Sequence, residues 1–243
     1  MFSRNTDWPT AIAADDGEGV EAAIDWCLEH LGDGETLTVW THLKSNLANN
    51  TALDQLVARY SNVQHVTRRG GVGLRRRGPV LMAWADMDDI ADLLRFGSHH
   101  VTALAVLSWD DEAVRPWAAA AKPVVLGNPS SWTDLVVELD PVVVEALDDL
   151  TGFINHNNTI SGGHEKEHVV STLFALYDAG FQLAPKAMQG WVLAHGWAGD
   201  NPLQLATDAK DIGRGRRPRA RQVLRADYIE QLRRQVEDRD PRP

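Results

Sequence analysis

The stretch GHEKEH, residues 163–168, matches the H-E-x-x-H pattern with which zinc metalloproteases bind their metal. In those enzymes the two histidines bind zinc as neutral imidazoles, and the glutamate acts on the zinc-bound water. At about 100° per residue along a helix, His164, His168 and Ser171 fall opposite the apolar stripe of the residues that follow. Glu165 suits the first turn of a helix, because the helix dipole favours negative charge there. We therefore interpret the stretch as a helix start and not as a zinc site.

Acidic side chains follow two apolar runs that are typical of buried strands. Asp86 follows PVLMAWA, and Asp110 and Asp111 follow VTALAVLSW. Since ligands bind beyond the carboxyl ends of the strands in open parallel sheets, these carboxylates could hold Mg²⁺, with His42 as an acid or base. The same aspartates are suited to cap the helices that follow them. We favour capping for these carboxylates, and a metal-dependent phosphoester hydrolase or nuclease is the alternative function that they suggest.

Arginines and glycines crowd into RRGGVGLRRRGP, residues 68–79. Arginine forks bind phosphates well, and glycines let the backbone approach a ligand closely. The chain contains neither G-x-G-x-x-G in this stretch nor G-x-x-x-x-G-K-[ST] anywhere, so no nucleotide cofactor is predicted. Pairing of the arginines with the many carboxylates of the protein is the alternative. The predicted ligand-binding residues, which combine this stretch with residues at strand ends, are Arg68, Arg69, Arg75, Arg76, Arg77, His42, Lys44, Trp109 and Asn128.

A second basic stretch, RGRRPRARQVLR, occupies residues 214–225. It could contact a nucleic-acid backbone as part of a small helical module. The interpretation we favour is an arginine strap that pairs with acidic residues of the same subunit or of a second copy, which would make the protein a homo-oligomer. The arginines in question are Arg214, Arg216, Arg217, Arg219 and Arg221.

The order of apolar runs and amphipathic stretches predicts the fold that positions these residues. Near-continuous apolar runs alternate with helices of about ten residues, which favours a parallel sheet covered on both faces. Trp40, Trp84 and Trp109 lie near the ends of such runs, where they could stack a base or fill the core. We predict a flexible leader at 1–17, an α/β domain of about five strands at 18–129, and a helical region at 130–243.

Composition restricts the functional classes. The net charge of −10 opposes general attraction to nucleic acid or to an anionic membrane, so any such contact would be local. The single cysteine, Cys27, rules out an intramolecular disulfide. We find no apolar run of the roughly 18 residues that span a bilayer and no secretory signal, and we expect a cytosolic protein without membrane partners.

Three hypotheses for the function follow from these residues. The first is binding of a phosphate-bearing ligand, a nucleotide or a nucleic acid, through the arginine-rich stretches and the carboxyl edge of the sheet. The second is the metal-dependent phosphoester hydrolase. The third is a non-enzymatic interaction module whose arginines pair with a partner or a second copy.

Overall fold

A single parallel sheet organises the first half of the chain in the computed structural model, which describes residues 7–68, 74–128, 132, 135–155 and 159–239. The sheet has six strands in the order β3-β2-β4-β5-β1-β6, and every neighbouring pair is parallel. The predicted α/β fold with a helical C-terminal region is therefore confirmed. The strands are β1 (Thr10–Ala14), β2 (Leu37–Thr41), β3 (Val63–Thr67), β4 (Gly78–Ala83), β5 (Val101–Ser108) and β6 (Val124–Val125).

Helices cover both faces of the sheet. The helices α1 (Gly17–Glu29) and α2 (Thr51–Arg59) pack on one face, and α3 (Met87–Gly97) and α4 (Asp111–Ala121) pack on the other. Every residue of β2 and β4 is buried, because their side chains meet a helix on either face. This explains why β4 is a continuous apolar run, and in β2 the two threonines, Thr38 and Thr41, are buried as well.

The strand β1 lies in the segment for which we predicted a flexible leader, so that prediction is wrong for residues 10–14. β1 pairs with β5 on one side and with β6 on the other, and Ala11, Ile12 and Ala13 are fully buried. Its sequence, TAIAA, is short and rich in alanine, a residue with low strand propensity. Pairing with β5, more than ninety positions later, therefore decides its conformation. With β1 included, the sheet has one strand more than predicted.

The second half of the chain is helical, with a core of its own around Leu147, Leu173 and Trp197. Helix α7 docks this region against α3 and α4 of the α/β domain. At the contact, Gln189 Nε2 donates a hydrogen bond to Asp88 Oδ1 (3.1 Å). None of the described helices is long and apolar enough to cross a membrane. The helices of this region are α5 (Pro141–Phe153), α6 (Gly163–Asp178), α7 (Pro185–Ala194), α8 (Asn201–Gly213) and α9 (Tyr228–Arg239).

Candidate ligand-binding site

A cavity of about 880 Å³ opens at the carboxyl edge of the sheet. Its wall comes from the segments that follow β1, β2, β4 and β5, so four separate stretches of sequence meet there. Among the described residues, no lysine or arginine lines it. We call it the edge cavity; its polar and aromatic lining residues are Asp15, Asp16, Asp86, Asp89, Asp110, His42, Asn46, Asn49, Asn50, Trp84 and Trp109.

The topology of the sheet creates this opening. From β1 and β2 the chain continues towards the β3 side of the sheet, whereas from β4 and β5 it continues towards the β6 side. Because such connections are right-handed, opposite directions place the following helices on opposite faces. The helices diverge where β2 meets β4 and where β5 meets β1, and a crevice forms between them.

Three aspartates of the cavity wall cap helices. Asp16 Oδ1 accepts from Gly19 N at the start of α1 (2.7 Å), and Asp86 Oδ1 accepts from Asp89 N at the start of α3 (2.9 Å). Asp110 Oδ1 accepts from the backbone N–H of the second residue of α4 (3.1 Å). The capping interpretation of Asp86 and Asp110 is thus confirmed. Each cap uses one carboxylate oxygen, and the other accepts no hydrogen bond from the described part of the chain.

Two asparagines of the wall are held in the same way. Asn50 Oδ1 accepts from Leu53 N at the start of α2 (3.1 Å), and Asn46 Oδ1 accepts from Leu43 N (2.7 Å). Both side chains are half-buried, and both use their carbonyl oxygen for the cap. Neither amide NH₂ group donates to a residue within the described ranges, so both remain available to a ligand.

Two tryptophans complete the wall. Trp84 adopts a left-handed backbone conformation (φ 61°), which is strained for a bulky residue. Its indole Nε1 donates to Asp15 Oδ2 (2.7 Å), so this turn carries the ring from the end of β4 to the end of β1. Trp109 is 72% exposed, the most exposed of the large hydrophobic side chains among the described residues. Trp40, by contrast, is fully buried and belongs to the core.

Asp89 is the buried acid of the edge cavity. Its Oδ1 accepts from Arg68 NH1 (3.1 Å) and lies 3.7 Å from His42 Nδ1, and its Oδ2 accepts from Asp86 N (3.1 Å). Burial raises the pKa of Asp89 to about 6. The charge of Asp86 raises this pKa as well, whereas the backbone hydrogen bond and the charges of Arg68 and His42 lower it. Asp89 therefore changes its charge near neutral pH.

The predicted metal ligands are only partly brought together. Asp86 and Asp110 line the edge cavity together with His42, whereas Asp111 lies in the first turn of α4 and is not part of the wall. Within the described ranges, no group of three or more histidine, cysteine or acidic side chains is placed to hold a metal ion.

The arginines that we predicted at the carboxyl edge do not all lie there. Arg68 is at the carboxyl edge, but it pairs with Asp89 and Asp92. Arg77 is at the opposite edge, where its Nε lies 3.3 Å from Glu35 Oε1 and its carbonyl accepts from Thr36 N, just before β2. A connection between two parallel strands starts at one edge of the sheet and ends at the other. Arg75 and Arg76 directly precede Arg77, so they belong to the end of this connection and not to its start at the carboxyl edge.

Of the other predicted ligand-binding residues, some line the edge cavity and some do not. His42 and Trp109 line the edge cavity, as expected for residues at strand ends. Lys44 is exposed at the start of a 3₁₀ helix (Lys44–Asn49), Asn128 follows β6, and neither belongs to the cavity wall. Arg69 lies outside the described residues.

The C-terminal arginines form contacts within the helical region. Arg217 pairs with Asp178, and its guanidinium lies over the ring of Phe174 at 5.0 Å. Arg216 NH1 lies 3.1 Å from Asp211 Oδ1. These contacts agree with the strap interpretation. The other three arginines are exposed and form no ion pair with the described residues: Arg214, Arg219 and Arg221.

The H-E-x-x-H stretch begins helix α6 at Gly163, so its interpretation as a helix start is confirmed. The ring of Phe153 stacks on His168, with 3.9 Å between ring centroids, and lies 5.5 Å from the ring of His164. Glu165 Oε1 accepts from a backbone N–H (2.9 Å). Ser171, which lies opposite the apolar stripe, is only 1% exposed, and its hydroxyl donates to the carbonyl oxygen of Arg221 in the strap.

Six polar residues of the wall escaped the sequence analysis: Asp15, Asp16, Asp89, Asn46, Asn49 and Asn50. Asp15 and Asp16 were assigned to the leader, although their stretch, AIAADDGEG, shows the same change from an apolar run to acids as the other strand ends. Asn46 and Asn50 carry no motif, and only their position after β2 identifies them.

The fold places this protein among parallel α/β proteins with a crevice at the carboxyl edge. Residues 139–233 match a family described as a domain of unknown function (DUF1889). The matched segment, less than half of the chain, covers the helical region and not the cavity wall. No curated protein and no solved structure matches the chain.

Proposed function

We propose that this protein binds a small, positively charged ligand in the edge cavity. The observation that supports the proposal is the charge of the wall: five aspartates, with no lysine or arginine among the described lining residues. The starts of α1, α2, α3 and α4 contribute about half a positive charge each, and Arg68 contributes one beside the wall. These charges do not offset five carboxylates. A cation therefore gains electrostatic energy in the cavity, and a bare anion loses it.

The free energy of a single contact between a cation and a carboxylate determines how many aspartates the ligand must contact. A charge 4 Å from a carboxylate gains about 1 kcal/mol in bulk water and about 4 kcal/mol at the effective dielectric of a protein surface. Micromolar affinity requires about 8 kcal/mol in total. The ligand must therefore contact several aspartates at once. The exposed ring of Trp109 can add a cation–π contact of about 0.5–1 kcal/mol.

The phosphate-bearing ligand that we expected from the sequence fits this cavity when a divalent cation accompanies it. A phosphate would enter with a divalent cation, since Mg²⁺ is commonly held by one or two carboxylates and by the phosphates of the substrate. His42, Asp86 and Asp110 share the wall, and each of the two aspartates has one oxygen left after capping. This observation favours a metal-dependent phosphoester hydrolase as the second candidate function. Nucleic-acid binding by the strap stays a prediction.

Calorimetric titration with spermidine at low salt tests the first proposal. We expect binding that weakens as salt is added, because exposed charges are screened. Trp109→Ala should weaken it about two- to fivefold through the lost cation–π contact. Tyr60→Ala is the matched control, because Tyr60 is also exposed but ends α2 away from the cavity. Tight binding of AMP without a divalent cation, or no binding of spermidine at low salt, would contradict the proposal. AMP binding that requires Mg²⁺ would instead support the second candidate.

The affinity for spermidine should fall as the pH is lowered from 7 to 5. Asp89, with a pKa of about 6, becomes neutral over this range, and the cavity loses one of its five negative charges. The amines of spermidine stay protonated throughout. Titrations of the His42→Gln variant separate Asp89 from the histidine beside it. A variant whose affinity no longer depends on pH would assign the effect to His42 and not to Asp89.

A further inference from the structure

The caps around the edge cavity have a second role. A cap hydrogen bond holds one atom of the side chain and thereby fixes the direction of the other polar atom. Asp16, Asp86 and Asp110 line the cavity, and each uses one oxygen at a helix start while the second has no partner among the described residues. Asn46 and Asn50 each hold the carbonyl oxygen and keep the NH₂ group. Three lining aspartates therefore each have an acceptor oxygen, and two lining asparagines each have a donor NH₂ group, without a hydrogen-bond partner among the described residues, and the caps already hold these side chains in place.

The combination of acceptor and donor groups in the wall selects a narrower class of ligand than the negative charge of the cavity does. A simple polyamine carries only donors, which suit the carboxylate oxygens but leave the amide N–H groups of Asn46 and Asn50 without an acceptor. A hydroxyl group donates and accepts, so it can bridge the two kinds of wall atom. An ammonium group next to several hydroxyls would satisfy the acid side and the amide side together.

The aromatic part of the wall fits the same class of ligand. Trp109 offers a largely exposed ring face, and Trp84 is held by Asp15 at the same wall. Rings of this kind cover the apolar C–H face of a ligand whose polar groups lie at its edges. The volume of about 880 Å³ lies within the range of cavities that hold organic ligands of drug size.

We infer that the edge cavity recognises an aminated polyol, with its ammonium groups on the capping aspartates and its hydroxyl groups on Asn46 and Asn50. The inference rests on the proposed function, because it names the class of cation that the cavity selects. It adds a demand that charge alone does not make: the ligand must also accept hydrogen bonds from two asparagines.

Two probes of equal charge test this demand. At pH 5, where the weakly basic amines of glucosamine are protonated, the linear trimer of glucosamine and spermidine each carry three ammonium groups, but only the trimer has hydroxyls. Maltotriose has the hydroxyls without the charge. We expect the trimer to bind about tenfold more tightly than spermidine, as two additional net hydrogen bonds would provide. Maltotriose should bind far more weakly than the trimer.

The substitutions Asn46→Asp and Asn50→Asp keep the capping oxygen and replace the NH₂ group by a second oxygen. The added negative charge strengthens the binding of both cationic probes. The quantity to compare is therefore the ratio of the affinity for the trimer to the affinity for spermidine. We expect this ratio to fall at least threefold in each variant. Asn62→Asp is the matched control, because Asn62 is exposed just before β3 at the other edge of the sheet, and its ratio should not change. Thermal unfolding of each variant checks that the caps persist.

The outcomes separate the inference from the proposed function. A trimer that binds no more tightly than spermidine, or ratios that do not change in the Asn46→Asp and Asn50→Asp variants, would overturn the inference and leave cation binding intact. Failure of both cationic probes to bind, or equal binding of the trimer and maltotriose, would overturn the proposed function as well.

Discussion

Gly190→Ala should destabilise the protein by about 1–3 kcal/mol or more, because the new methyl group has no space. Gly190 lies in α7, and a Cβ atom there would be 2.2 Å from the carbonyl carbon of Pro116 and 2.4 Å from its oxygen. Both atoms belong to the backbone of α4, which a side-chain rotation cannot move. The helices would have to separate at the contact that docks the helical region on the α/β domain. Since a domain has about 5–15 kcal/mol of net stability, the loss is a large part of the total.

Urea unfolding of the wild type and the variant measures this loss. Gly152→Ala is the control, because Gly152 lies in α5 and a Cβ atom there would meet nothing within 4 Å. Alanine is the better helix former by about 0.5–1 kcal/mol, so the control should be at least as stable as the wild type. Equal stability of the Gly190→Ala and Gly152→Ala variants would show that α4 and α7 do not approach as closely as the structure has them.

Gly19→Ala should damage the edge cavity and the fold together. A Cβ atom at Gly19 would be 2.2 Å from the carbonyl oxygen of Ala14, at the end of β1, and 3.1 Å from Asp16 Oδ1. The start of α1 must shift, and with it the hydrogen bond from Gly19 N to Asp16 that fixes this aspartate in the wall. We expect a loss of stability of about 1–3 kcal/mol and an affinity for spermidine that is several-fold weaker.

Gly17 provides the control within the same turn. It is the first residue of α1, and a Cβ atom there would meet nothing within 4 Å. The Gly17→Ala variant should keep the stability of the wild type, but Gly17 also lines the edge cavity, so it serves as a control for stability only. A Gly19→Ala variant that binds spermidine as well as the wild type would argue against the contribution of Asp16 to the cavity.

The two pairs of variants address different parts of the molecule. Gly190 tests the contact between the helical region and α4, and Gly19 tests the turn from β1 into the cavity wall. Pro116 and the capping Asp110 both belong to the α4 segment, so movement of α4 in the Gly190→Ala variant can reach the cavity. Spermidine titrations of both variants, at urea concentrations where each stays folded, would show whether docking of the helical region supports binding.

Local sequence patterns were sufficient where the physical cause is local. The continuous apolar runs of β4 and β5 predicted buried parallel strands, because side chains covered by helices on both faces must be apolar at every position. The capping aspartates Asp86 and Asp110 were recognisable because a cap acts within three residues along the chain. The start of α6 at Gly163 was recognisable for the same reason.

Contacts between distant residues decided the rest. The segment that contains β1 is a strand only because β5 and β6 bind it on both sides, and TAIAA alone has little tendency to be extended. The arginines of residues 68–77 look like one cluster in the sequence, but the chain crosses the sheet within that stretch and leaves Arg68 and Arg77 at opposite edges. The negative charge of the edge cavity likewise exists only where four strand ends meet. By itself the sequence determined the layers of the fold and the caps, which depend on neighbours in the chain; the tertiary structure decided which charges share one site, because that depends on the order of the strands in the sheet.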